Sequence, residues 1–140
     1  MGGKRRIITS SQDETIELGR QIASWFPEGG IFCLKGDLGS GKTSLVKGIV
    51  AAVTTEDPLN VTSPTFSYLN IYDRVYHFDL YRLTHVQQFY DLGLQDYLLA
   101  EGFVCIEWSE RIASLLPKNV HTILFEYVDE HTRVIEVLCA

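Results

Sequence analysis

Cysteine is scarce in these 140 residues: there are three, at positions 33, 105 and 139, an odd number at wide spacing. Disulfide frameworks and cysteine-based metal knuckles need closely ordered sets, so neither is expected, and the thiols read as small buried side chains in a reducing compartment. Long apolar runs are missing as well. The longest, such as "TILF" at 122–125 and "GIVAAV" at 48–53, stop far short of the roughly 20 residues that cross a bilayer. The opening "MGGKRRIITSSQDE" is basic without an apolar segment of secretory length behind it, so a cytoplasmic location is expected. The sequence has no repeats, low-complexity tracts or linkers. A single domain over residues 1–140 is therefore expected, able to bury about 68–70% of the surface its unfolded chain exposes.

Positive charge is in deficit, with 12 Lys and Arg against 18 Asp and Glu, a formal charge of −6. An acidic chain is poorly suited to grip nucleic acid by neutralising phosphates, so any role on RNA should pass through another protein. Two guanine-enzyme strings, N-K-x-D and D-x-x-G, are absent, which disfavours GTP. Arg74, Arg82, Arg111 and Arg133 stand singly, so the arginine-rich lid of a small-molecule kinase is hard to place.

What is present alternates between helix and strand. A short strand around Arg6 to Ile8 precedes "SSQDET", where Ser11 and Glu14 have capping-box spacing and predict a helix to about Phe26. "IFCLK" (31–35) is apolar on both faces, as a strand inside a parallel sheet should be. "TFSYLNIYD" and "VYHFDLYR" predict an antiparallel pair turning at Asp73–Arg74, and "HVQQFYDLGLQDYLLA" a helical stretch interrupted at Gly93. "FVCIEW" is a second buried strand, followed by a short helix ending near Pro117, and "VHTILFEY" with "TRVIEVL" forms a closing hairpin. The expected fold class is α/β: a P-loop NTPase-like sheet, mostly parallel with antiparallel edge strands and helices on both faces.

The chemistry begins at "GDLGSGKT", which satisfies G-x-x-x-x-G-K-[ST] between a predicted strand and a predicted helix. Such a loop turns its backbone N–H groups around phosphate oxygens, so Gly36, Asp37, Leu38, Gly39, Ser40, Gly41, Lys42, Thr43 and Ser44 are the candidate nucleotide-binding residues. Lys42 should reach the β and γ phosphates, and Thr43 should offer its hydroxyl to Mg²⁺. Ligands gather at the carboxyl ends of parallel strands, and Glu107 ends the second buried strand, so it is the candidate acid on the metal side. Its neighbour Trp108, if the strand stays extended, points to the opposite face, where core packing or a partner surface is at least as expected as contact with nucleotide. Thr65 in "SPTF" suits a phosphate-sensing switch position, although Ser-Pro-Thr is equally ordinary turn chemistry. In "HFDLYRL", period two puts His77, Asp79 and Tyr81 on one face, with Asp79 held among polar neighbours and His77 read as structural.

In order, "GDLGSGKTSLVKG", "SPTFSYLNIYD", "YHFDLYRL", "DLGLQDYL" and "IEWSER" resemble the bacterial TsaE (YjeE) ATPases over roughly residues 6–138. That resemblance implies a Mg²⁺-dependent P-loop ATPase acting with the TsaB and TsaD subunits to make threonylcarbamoyladenosine beside the tRNA anticodon, with tRNA contacted through those partners. By the same resemblance Lys42, Asp79 and Glu107 are catalytic, Thr43 and Glu107 face the metal, Thr65 occupies the switch position, and the segment around Gln12 to Thr15 and Arg133 lie near the base. Ser109 and Ser40 depart from the family's usual proline and alanine. Two other readings remain open: a nucleotide-gated binding module with incidental hydrolysis, and a small P-loop kinase.

Overall fold

The computed structural model describes residues 3–37 and 39–140. Seven strands form one sheet in the order β1-β7-β6-β2-β5-β4-β3, with β1 Gly3–Thr9, β2 Gly29–Lys35, β3 Leu69–Tyr72, β4 Val75–Asp79, β5 Gly102–Glu107, β6 His121–Tyr127 and β7 Arg133–Cys139. The middle is parallel, β6, β2, β5 and β4 running together, while β1, β7 and β3 are antiparallel to their neighbours. This is the expected α/β sheet with antiparallel edges. The hairpins at 73–74 and 128–132 fall where turn residues interrupt the apolar runs.

Alternation in the two central strands divides the core. Phe32 and Leu34 of β2 and Phe103 and Cys105 of β5 face one side, where they meet helices α1 (Gln12–Trp25) and α2 (Lys42–Val53). Val104 and Ile106 face the other and pack with Phe89 and Leu98, from helices α3 (Val86–Asp91) and α4 (Gln95–Leu98), and with Ile112 from the 3-10 segment Ser109–Leu115. Both faces are covered, and for that reason every residue of β5 is buried. Gly93 adopts φ +73° and separates α3 from α4, as the interrupted helical pattern predicts.

Helix α1 begins at the expected cap: Ser11 Oγ accepts from Glu14 N at 3.1 Å, and Glu14 Oε1 accepts from Ser10 N at 2.8 Å. Its buried residues Thr15, Leu18, Gly19, Ile22 and Ala23 recur at intervals of three and four, a single stripe laid against α2. Two glycines meet where these helices cross. A Cβ on Gly19 would sit 3.0 Å from Gly48 Cα, and one on Gly48 would sit 2.9 Å from Gly19 Cα, both also intruding on backbone carbonyls of the facing helix. The backbones touch directly, and this contact fixes the spacing between the two walls of the cleft described next.

Two expectations shift in extent. The first strand is longer than Arg6–Ile8 because all seven residues of β1 pair with β7. The run beginning at Thr65 enters the sheet only at Leu69, because Ser67 N and Tyr68 N both donate to Pro64 O and close a turn first. No helix among the described residues is long and apolar enough to cross a membrane.

Candidate functional site

The carboxyl ends of β2, β5 and β4 lie side by side, with Leu34 opposite Glu107 and Asp79 opposite Glu107 in the ladders. Paired residues of parallel strands share a face, so both acids project to the side covered by α2. The loop after β2 turns over the same edge into α2, whose cap residue Gly41 is left-handed at φ +108° and supplies no side-chain cap. A side chain there would be strained, and glycine leaves the first N–H groups of a twelve-residue helix directed at the cleft. Leu38 lies outside the described residues. Ser40 is buried, its hydroxyl without a partner among the described residues.

Lys42 crosses this edge. Its Nζ donates to Gly36 O at 2.6 Å and lies 3.4 Å from Glu107 Oε1. The other carboxylate oxygen, Oε2, is 2.6 Å from His77 Nε2. All three groups are sheltered, with side chains 11%, 7% and 0% exposed for Lys42, Glu107 and His77. Burial by itself pushes the Glu107 carboxyl up, but the His77 hydrogen bond and charge and the nearby Lys42 outweigh it, leaving its pKa below the ordinary carboxylate value. Glu107 is thus an anion held from two sides.

Asp79 is also buried and accepts from Tyr81 N at 3.0 Å and from Thr65 Oγ1 at 3.2 Å, so the Ser-Pro-Thr turn is tied to the end of β4. Trp108 corrects an expectation. The strand ends at Glu107, Trp108 takes a left-handed conformation at φ +60°, and the chain swings round into the 3-10 segment. Alternation therefore stops one residue early, and Trp108 lines the same cleft as Glu107 instead of turning away. Its ring lies 5.1 Å from that of Tyr81, and the Arg111 guanidinium sits 5.5 Å above it.

The cleft measures about 860 Å³, within the range of roughly 300–1,000 Å³ typical of small-molecule sites. It brings together Gly36, Asp37, Gly39, Gly41, Lys42, Thr43, Ser44, Thr65, Asp79 and Glu107 with Gln12 and Arg133. Arg133 donates to Gly39 O, Asp129 O and Thr132 O and stacks on Tyr127, tying the last hairpin to the phosphate-loop segment. Thr15, in the segment expected near the base, lines the cleft too, and sequence reasoning missed Ser11, Ser63, Glu130 and His131, which do so as well. Ser11 was accessible to it, since it caps α1 directly before Gln12. The hairpin residues carried no signal.

The donor set suits a nucleoside triphosphate with a hard divalent cation. Thr43, Asp79 and Glu107 offer oxygen, the donor type Mg²⁺ takes. Among the described residues no three His, Cys, Asp or Glu side chains are grouped to hold a metal on their own. A cation here would share its coordination with phosphate oxygens, as Mg²⁺ does in phosphoryl-transfer sites. Lys42, the first residue of α2 after its uncapped start, supplies the positive charge that a polyphosphate needs.

Comparison with known proteins agrees with this geometry. The family model described as threonylcarbamoyl adenosine biosynthesis protein TsaE matches residues 9–135. The chain is 35% identical to the tRNA threonylcarbamoyladenosine biosynthesis protein TsaE of Treponema pallidum (strain Nichols), the match covering 94% of this chain and 98% of that one. It is 32% identical to the protein of the same name from Aquifex aeolicus (strain VF5), covering 95% of each. Among solved structures, the Bacillus subtilis protein YdiB superposes with a TM-score of 0.74 at 26% identity, covering 99% of this chain and 87% of that chain.

Proposed function

The chain belongs to the TsaE family of threonylcarbamoyl adenosine biosynthesis proteins, and from that premise we propose that it is a Mg²⁺-dependent ATPase serving tRNA threonylcarbamoyladenosine formation as an accessory to TsaB and TsaD. The observation that carries the reading is Lys42, held at the mouth of α2 between Gly36 O and Glu107 on the wall of a cleft large enough for a nucleotide.

Lys42 exchanges these partners for the β and γ phosphates, while the backbone N–H groups of residues 39–44 hold their oxygens. Thr43 and Glu107 are the residues that would hold Mg²⁺, which would supply charge neutralisation to the phosphates. Asp79 fixes Thr65 through their hydrogen bond and so couples the Ser-Pro-Thr turn to the phosphate end. Gln12 and Arg133 border the base. Arg133 is taken up by three backbone carbonyls, which argues against its acting as an arginine finger and favours slow turnover until partner proteins engage. With a net charge of −6, the chain leaves tRNA contact to those partners.

The test is ATP hydrolysis by the chain alone and with purified TsaB and TsaD. Strong stimulation is expected; flat activity, or repeated tRNA modification by TsaB and TsaD without this chain, would overturn the reading. One contact favours a second reading, a nucleotide-gated binding module. Thr65 is followed by Phe66, 82% exposed beside Arg82 at 4.9 Å, so ordering the turn would present an aromatic anchor to a partner. Glu107→Ala separates the two: a variant that binds ATP and partner and still supports repeated turnover favours the module.

A further inference from the structure

His77 is buried completely, in the third position of β4, and does not line the cleft. Its Nε2 meets Glu107 Oε2 at 2.6 Å, from the neighbouring strand, while its Nδ1 has no hydrogen-bond partner among the described residues. Against a carboxylate Nε2 must be the donor. A histidine inside a sheet core with one bond, and that bond to the acid of the cleft, is more than filler.

The two oxygens of Glu107 have different keepers. Oε1 faces Lys42, a flexible side chain on the cleft wall that must leave to reach phosphates. Oε2 faces His77, a fully buried ring on β4, the strand flanked by β3 and β5. We propose that His77 is the positioning residue for Glu107: it holds Oε2 throughout the cycle, so that when Lys42 departs the carboxylate stays in place and presents Oε1 to the nucleotide. Without it, Glu107 would lose its one fixed partner among the described residues as Lys42 moves, and the side chain would swing through several rotamers at the moment its geometry matters. The inference rests on the ATPase reading above.

The test uses the full chain with TsaB and TsaD and two substitutions. His77→Leu fills the space without a donor, and His77→Gln carries an amide N–H to about the place of Nε2. For His77→Leu a fall in kcat of about 10–100-fold is expected, the usual effect of losing such an outer contact, with KM for ATP within about threefold. His77→Gln should recover most of the rate. Wild-type kcat in His77→Leu, equal loss in both variants, or loss confined to KM overturns the proposal. If His77→Leu fails to melt cooperatively, nitrogen-15 histidine spectra of the wild type and Glu107→Gln decide: the protonated Nε2 resonance should move on that substitution, and an unmoved resonance refutes the contact. A wild type inactive with and without partners instead removes the ATPase reading itself.

Discussion

Gly48→Ala sets two physical arguments against each other. In a helix interior, replacing glycine with alanine is stabilising by about 1 kcal/mol, because glycine loses more backbone freedom on folding. Here the added methyl would stand 2.9 Å from Gly19 Cα and intrude on the Ile16 carbonyl oxygen, both backbone atoms of α1, which cannot rotate away. Relief requires the helices to separate, and overpacking of this kind costs about 1–3 kcal/mol. With no side chain to yield, the upper half of that range applies, leaving a net loss of about 1–2 kcal/mol. At this chain length that corresponds to a fall in Tm of roughly 3–8 °C. Urea and thermal melts measure it directly. Because α1 brings Gln12 and Thr15 to the cleft and α2 brings Lys42 and Thr43, ATP affinity should weaken in the same variant. A Tm equal to or above wild type would refute the crossing as described. Adding Gly19→Ala should cost less than the sum of the singles, since both methyls push the same pair of backbones apart.

Three further outcomes follow from the same geometry. Burial pushes the thiols of Cys33 and Cys105 up, Cys105 to about 12 with the Glu107 charge adding to the effect. A thiol reagent at neutral pH should therefore label only half-buried Cys139 in the native protein and all three cysteines after denaturation; native labelling of Cys105 would contradict its packing. Trp108 is 38% exposed and lines the cleft, so ATP should change tryptophan fluorescence in Trp25→Phe and not in Trp108→Phe, the reverse pattern being the refuting one. The depressed pKa of Glu107 means the folded state holds its proton less tightly than the unfolded chain. Its contribution to stability is therefore full above the ordinary carboxylate pKa and lost as pH falls through the folded value below it. The gap in urea midpoint between wild type and Glu107→Gln should close on acidification through that window, and a constant gap would refute the pairing.

The parts of the fold legible in the sequence are those whose cause is local. The cap of α1, the glycine-rich turn and the doubly buried strands each follow from a few adjacent residues, and the structure builds each near its expected place. Trp108 was misread because nothing in "IEWSER" marks the left-handed residue: neither glycine nor asparagine stands there, and the alternation rule was carried one position past the last ladder pair, Asp79 with Glu107. Glu130 and His131 were invisible for another reason, since they reach the cleft only when the β6–β7 hairpin folds back over the phosphate-loop segment.

His77 is the instructive case, because its signal was present and incomplete. In "VYHFD" it falls on the α2-facing side of a strand that is buried across the sheet, and a polar ring in such a position must have a partner, because an unpaired one costs too much to retain. That argument demands a donor–acceptor contact without saying with what. The answer depends on the register between β4 and β5, which sets His77 against Cys105 and Asp79 against Glu107 over a sequence separation of 28 residues and so brings the ring diagonally to the carboxylate. Register at that distance is decided by the packing of both sheet faces at once, by Phe78 and Ile106 on one side and Val75 and Phe103 on the other. A one-residue slip would turn Glu107 into the apolar layer of α3 and α4 and remove Lys42's partner. The same packing that buries the core therefore aligns the acid with the phosphate loop, and substitutions of Phe78 or Ile106, which touch no cleft residue by role, would act on the site through that register.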